Sequence, residues 1–195
     1  MGPSSVAAAP ARWTTDPNHA AGKPSAAEEV HGMQLHGSCQ CGAVRFSLRS
    51  AHPVPYQRCY CGICRKTAGG GGYAINIAGD ARTLKVDGRA EIAVYHAHVR
   101  GPDGSDDIST AERTFCRVCG TALWLFSPEW PELIHPLASA IDTALPEPPS
   151  VTHIMLAYRP AWVRLDRNPG DVSFDEYPDQ SIAEWHRQHG LVQTD

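Results

Sequence analysis

From Met33 onward, short segments in which apolar and polar residues alternate are rich in β-branched and aromatic side chains and are bounded by Gly and Pro. A period of two sets one face of each segment against a core and the other toward water, the pattern of a half-buried strand. It predicts strands at Ala43–Leu48, Tyr73–Ala78, Thr83–Val86, Glu91–His96, Ala122–Phe126, Leu133–Leu137, Val151–Ala157 and Trp162–Leu165. Two stretches break the series: the polar, turn-rich Gly101–Asp107, and Leu145–Pro149, whose three prolines suit neither a helix nor a central strand. Helical signals are clear only near the C-terminus. There Ser181 and Glu184 form a capping box, Ile182 and Trp185 share a face, and Gly190 stands where a helix would stop. The pattern predicts a mainly β protein with a short C-terminal helix that docks Trp185 onto the sheet.

Composition divides the chain further. Residues 1–31 hold four prolines, many alanines and one Trp, too little apolar side chain to offset the entropy of ordering, and are expected to form a disordered tail. Residues 32–178 are expected to form the domain, and 179–195 a helical extension. With 195 residues and 42% hydrophobic content the chain can bury one sizeable core. A net charge of −4 gives no reason to expect nucleic acid, and no stretch approaches the roughly 20 apolar residues of a membrane span. Met1–Ala11 has neither the basic start nor the large apolar residues of a secretory signal, so a cytoplasmic protein is expected. In a reducing compartment, clustered thiols point to metal ligands rather than disulfides.

The seven cysteines fall into three tight groups: Cys39 with Cys41; Cys59, Cys61 and Cys64; and Cys116 with Cys119. A weak internal echo sorts them. Cys41-Gly42-Ala43-Val44 and Cys119-Gly120-Thr121-Ala122 both lead from a Cys-Gly knuckle into an apolar strand, and a glycine after the ligand lets backbone amides turn toward sulfur. Facing knuckles pair Cys39, Cys41, Cys116 and Cys119 around a structural zinc, although spacing alone leaves other partitions open. The remaining three, Cys59, Cys61 and Cys64, would hold a second zinc with one open position, unless a histidine such as His36, His52, His96, His98, His135 or His153 closes it. An open three-sulfur zinc favours a soft fourth ligand, so a substrate thiol would bind ionised and attack an aldehyde carbon.

Cations crowd these groups: Arg45, Arg58, Arg65, Lys66, Arg113 and Arg117. Arg65 and Lys66 directly follow the last ligand of the open site and are the first candidates for the carboxylates of a peptide-like thiol. Tyr60, between two ligands, either turns its hydroxyl toward that site or packs. Gly69–Gly72 either admits backbone to a ligand or forms a plain connection. His96, His98, Asp142 and Tyr60 are possible acid–base groups, and none stands out.

Three ordered motifs, Gly37-Ser38-Cys39-Gln40-Cys41-Gly42-Ala43-Val44-Arg45-Phe46, Cys59-Tyr60-Cys61-Gly62-Ile63-Cys64-Arg65-Lys66 and Arg113-Thr114-Phe115-Cys116-Arg117-Val118-Cys119-Gly120-Thr121, resemble the glutathione-dependent formaldehyde-activating enzyme family, which includes centromere protein V. Ile141-Asp142 and Arg159-Pro160-Ala161-Trp162 are similar to its weaker signatures, so the resemblance spans about Leu35 to Tyr177. It implies a β-tent fold with two zincs, the closed one on Cys39, Cys41, Cys116 and Cys119 and the other on Cys59, Cys61 and Cys64. It also implies carbon–sulfur lyase chemistry with glutathione as the thiol. Tyr60 stands where members often carry His.

Two further readings compete with a zinc-dependent lyase. A non-catalytic zinc-stabilised module would carry glutathione or bind a protein partner. A redox protein would exchange Cys61 and Cys64, or Cys116 and Cys119, but such pairs belong at a helix start in a βαβ setting that the pattern does not predict.

Overall fold

Alternation becomes burial at once in the first hairpin, where β1 (Met33–Ser38) runs antiparallel to β2 (Arg45–Ser50). Leu35 faces Leu48 across the ladder and both are fully buried, while Gly37 faces Phe46. A Cβ on Gly37 would lie 2.3 Å from the Phe46 ring and 2.4 Å from the Ala140 carbonyl, so the close approach admits only glycine. The computed structural model of the protein describes residues 32–101 and 103–191; the expected tail at 1–31 and the last residues, 192–195, lie outside these.

The other elements are β3 (Tyr56–Cys59), α1 (Gly62–Ala68), β4 (Ala74–Asn76), β5 (Gly79–Asp87), β6 (Ile92–Arg100), β7 (Asp106–Cys116), β8 (Ala122–Phe126), β9 (Leu133–Pro136), β10 (Val151–Ile154), β11 (Val172–Ser173) and α2 (Ile182–Gln188). A seven-stranded antiparallel sheet runs in the order β1-β2-β5-β9-β8-β7-β6. A four-stranded sheet runs β11-β10-β3-β4, with β10 parallel to both β3 and β11. The main core, including Leu35, Phe46, Leu48, Ile77, Leu123, Trp124 and Ile134, lies under the larger sheet, and Phe46 meets Trp124 edge-on at 5.1 Å. A smaller cluster of Cys59, Cys64, Ala74, Leu137 and Ile154 belongs to the second sheet and α1. No helix among the described residues is long and apolar enough to cross a membrane.

The fold is mainly β, as the alternation predicts, and several elements differ in detail. β8 has the expected bounds. Trp162–Leu165 forms no strand, and Val151–Ala157 stops at Ile154, where Met155 takes a left-handed conformation and the chain enters a short 3₁₀ turn. β1, β3, β7 and α1 are not among the predicted elements, and of these β3, β7 and α1 lack a pattern of their own. β7 is the longest strand, yet most of its side chains are only partly buried or exposed and its polar sequence does not alternate cleanly. Pairing with β6 on one side and β8 on the other makes it a strand.

The C-terminal helix forms with the cap read from the sequence: the Ser181 hydroxyl accepts the Glu184 amide at 3.1 Å. Trp185, 7% exposed, joins the main core, and the adjacent His186 ring meets the Val54 carbonyl at 2.6 Å. Replacing Trp185 by Ala is therefore expected to lower unfolding stability by about 3 kcal/mol and Ser181 by Ala by about 1 kcal/mol, read as shifts in urea midpoint. A Trp185→Ala variant as stable as the parent would show that the helix is a mere appendage.

Candidate metal centres and adjoining cavities

Each knuckle is a tight turn that closes on its own sulfur. The Cys39 amide bonds the Val44 carbonyl at 3.0 Å, the Gly42 amide bonds the Cys39 carbonyl at 3.0 Å, and the Val44 amide donates to Cys39 Sγ at 3.2 Å. The second turn repeats this plan, with the Cys116 amide on the Thr121 carbonyl at 2.9 Å and the Gly120 amide on the Cys116 carbonyl at 2.8 Å. Gly42 and Gly120 have φ of 76° and 75°, so the echo in the sequence is an echo in conformation. The Gln40 amide donates to the Thr121 hydroxyl at 3.1 Å and joins the turns.

Cys39, Cys41, Cys116 and Cys119 thereby bring four sulfurs within 4.8 Å of one another. Cys39–Cys41 and Cys41–Cys116 stand 3.5 Å and 3.9 Å apart. Thiolates around zinc at about 2.3 Å stand about 3.8 Å apart in a tetrahedron, whereas a disulfide needs about 2 Å. The set thus fits a four-sulfur metal site, with Cys39 and Cys116 buried and Cys41 and Cys119 exposed. The Thr121 hydroxyl and amide hold Cys119 down to about 6. Although the Ala43 amide favours its thiolate, Cys41 is pushed up to about 12 by the neighbouring sulfurs, Cys39 foremost.

Cys59, Cys61 and Cys64 form the second group, again within 4.8 Å, and no His, Asp or Glu joins it among the described residues. Of the histidines that might have closed it, His153 is buried against Tyr60 and Asp171, and His96 and His98 lie on the exposed β6. Cys59 ends β3, and Cys61 is the N-cap of α1, its sulfur accepting the Cys64 amide at 3.3 Å. Hydrogen bonds from the Cys59 and Cys64 thiols, with help from the Cys64 and Ile63 amides, hold Cys61 down to about 2, while Cys61 pushes Cys59 up. One thiolate at a helix start, flanked by donors, is a ready nucleus for a cation. A cysteine in place of the usual Ser, Thr, Asp or Asn hides this cap from a search for helix starts. Cys61 and Cys64 do sit at a helix start after a strand, contrary to expectation, but β3 and β4 flank the helix antiparallel, so the setting is no βαβ unit.

Tyr60 is 1% exposed, and its hydroxyl lies 2.9 Å from His153 Nδ1. His153 Nε2 in turn lies 3.5 Å from Asp171 Oδ2, and Asp171 also accepts the Val151 and Asn168 amides at 2.7 Å and 2.9 Å. Of the two roles read for Tyr60, the structure shows the packing one: a buried ring that ties the loop between two sulfurs to the second sheet. Arg58 lies over the Tyr73 ring at 5.1 Å.

Arg65 and Lys66 open onto a cavity of about 310 Å³ walled also by Gly69, Gly70 and Ser139. A second cavity of about 320 Å³ reaches Cys64 and is lined by Arg113 and by apolar side chains of β7, β8 and their surroundings; the two share Thr67, Ala68, Gly120 and Ala122. The glycine run is partly obligatory, since a Cβ on Gly72, at φ 91°, would lie 2.2 Å from Val163, and one on Gly69 2.2 Å from the Tyr73 carbonyl. Arg45 and Arg117 are exposed near the first group, while Asp142 is exposed beside β1 and its amide bonds the His36 carbonyl.

The family profile described as glutathione-dependent formaldehyde-activating enzyme matches residues 34–156, a span that holds all seven cysteines. The chain belongs to this family. A Halomonas elongata protein, provisionally named as a glutathione-dependent formaldehyde-activating enzyme, is 55% identical over 159 residues, covering 82% of this chain and 98% of that one. A crystal structure of a Rhodobacter sphaeroides protein matches with a TM-score of 0.44 at 26% identity, over 58% of this chain and 92% of that one. The family match agrees with the resemblance carried by the three cysteine motifs.

His153 supplies a pH test of the second sheet. Burial lowers its pKa below the ordinary 6.5 against the opposing pull of Asp171, so the folded protein takes up this proton less readily than the unfolded chain. The stability this contributes is complete above about pH 6.5 and is lost as pH falls below it, at up to about 1.4 kcal/mol per pH unit. His153→Gln is expected to flatten that acid slope in urea titrations between about pH 6.5 and 5; an unaltered slope would remove His153 from the account.

Proposed function

We propose that this chain is a zinc-dependent carbon–sulfur lyase, or thiol adduct-forming enzyme, that joins glutathione or a similar thiol to an aldehyde carbon and releases it in reverse. The observation that carries this reading is the incomplete trio: three sulfurs within 4.8 Å, no further side-chain ligand among the described residues, and two cavities alongside. Cys39, Cys41, Cys116 and Cys119 would hold a structural zinc contributing on the order of 10 kcal/mol to folding. Cys59, Cys61 and Cys64 would hold the second ion, which when bound supplies a Lewis acid able to keep a nearby thiol ionised at neutral pH.

The protein's own groups do the rest. Arg65 and Lys66 offer positive charge for the carboxylates of a peptide thiol, and the neighbouring Gly70 leaves room for its backbone. Tyr60, fixed by His153 and Asp171, keeps Cys59 and Cys61 from shifting relative to one another. α1 carries Cys64, Arg65 and Lys66 on one rigid turn, so a thiol anchored by its carboxylates is delivered to the sulfurs at a set distance. The domain around residues 32–178 contains every one of these groups.

Zinc content and turnover separate the two sulfur groups. Cys61→Ser is expected to leave a folded protein with about one zinc by elemental analysis and to abolish formation of the glutathione–formaldehyde adduct, followed by exchange NMR. Cys39→Ser should instead lose the folded protein. Glutathione should change the visible spectrum of the cobalt-substituted parent; an unchanged spectrum, or full turnover by Cys61→Ser, would overturn the reading.

A further inference from the structure

Formaldehyde presents a single carbon and oxygen, and the space beside Cys64 is far larger than it needs. The 320 Å³ cavity has room for about ten waters, and an apolar cavity of about half that volume is enough for a benzene ring. Its walls are Ala74, Tyr95, Phe115, Trp124, Leu125 and Leu137, and Arg113 is its charged side chain. Such walls suit the charged backbone of a tripeptide poorly, because desolvating its carboxylates and amides there would go uncompensated. The cationic cavity next door suits it well. The site therefore has two compartments of opposite character meeting at α1, and only the polar one fits the thiol.

Arg113 supplies the polar end of the apolar compartment. It stands on β7 with Tyr95 opposite it on β6 and Leu125 opposite on β8, and its Nη1 is buried without a hydrogen-bond partner. A buried donor left unmatched is costly, and a ligand oxygen is the natural group to satisfy it.

We propose that the carbon partner handled here is an aldehyde carrying an apolar chain or ring of about six carbons, seated between Phe115, Leu125 and Leu137 with its oxygen toward Arg113. This inference rests on the thiol–aldehyde reading above and names its second substrate class. In the forward direction the thiol sulfur forms the bond to carbon, the carbonyl π pair moves to oxygen, and the proton lost from the thiol ends on that oxygen. The reverse breaks the carbon–sulfur bond and returns aldehyde and thiol, with no change in oxidation state overall. Arg113 donates to the oxygen as charge gathers on it.

The test compares S-methylglutathione with S-hexylglutathione, stable thioether counterparts of the adducts, by calorimetric titration of the zinc-loaded full chain. At about fourfold per fully buried methylene, burial of three to four of the five added methylenes is expected to make the hexyl compound bind on the order of 100-fold more tightly. Leu125→Gln should cut that ratio below about tenfold; should this variant fail to fold, Tyr95→Ser on the partly exposed β6 carries the same comparison. Affinities within about threefold of each other, or a ratio untouched by the cavity substitutions, would overturn the proposal. Failure of both thioethers to bind would count against the thiol reading instead. In that event 1-hexanol, followed by ligand-observed NMR, still tests the compartment: saturable binding weakened by Leu125→Gln supports it, and no binding overturns it.

Discussion

The convergence of four sulfurs from sequence-distant turns is the constraint on which the larger sheet depends. β1 and β7 are separated in that sheet by β2, β5, β9 and β8, yet Cys41 and Cys116, 75 residues apart in the chain, lie 3.9 Å from one another. A flat sheet cannot bring those strand ends together, so the sheet must curl until its ends nearly meet. Apolar burial favours curling in a general way, through Leu35, Phe46 and Trp124, but it does not choose where the ends come to rest. The knuckles do, because each fixes its sulfurs by backbone hydrogen bonds within a few residues. The resulting spacing fits four sulfurs around one metal ion.

The second sulfur group sits where the two sheets and α1 meet. Cys59 comes from the small sheet and Cys64 from the helix, while Arg113 and the apolar walls come from the large one. Tyr60, His153 and Asp171 form a buried polar chain under the loop, at positions a purely apolar core would fill more cheaply. Such a chain makes sense as a device for holding a loop of unusual shape. The site is therefore an inter-sheet feature, and its cavities are lined from both sheets and α1.

Much of this was legible in the residues. Cysteine spacing and the Cys-Gly echo divided the sulfurs as the structure groups them, and alternation located most strands, most directly where one face is buried, as in β2 and β9. Legibility failed wherever pairing with other strands, rather than local pattern, makes the element. β3 is four residues whose neighbour β10 lies far along the chain, and β7 is polar along much of its length. Trp162 carried an aromatic strand signal but is 66% exposed in a turn. α1 escaped because its cap is a sulfur, and with it escaped the cavities, whose walls come from five separate elements and the turns between them. Arg113 was visible as one of several cations, but nothing local distinguished it from the solvated ones. The two readings of Tyr60 could not be separated locally for a related reason, since its partner lies 93 residues away.

The atom that would bind the metal, Cys61 Sγ, is also the atom that starts α1, and α1 carries both cationic residues of the polar cavity. A bound ion and the helix would thus be thermodynamically linked: whatever steadies the first turn would tighten the grip on the ion, and the ion in turn would steady the turn. Reciprocity then requires that an anionic guest resting on Arg65 and Lys66, if it steadies α1, would also raise the affinity of the sulfurs for an ion. Loss of such an ion would loosen the first turn of α1 and with it the placement of Arg65 and Lys66 beside the polar cavity.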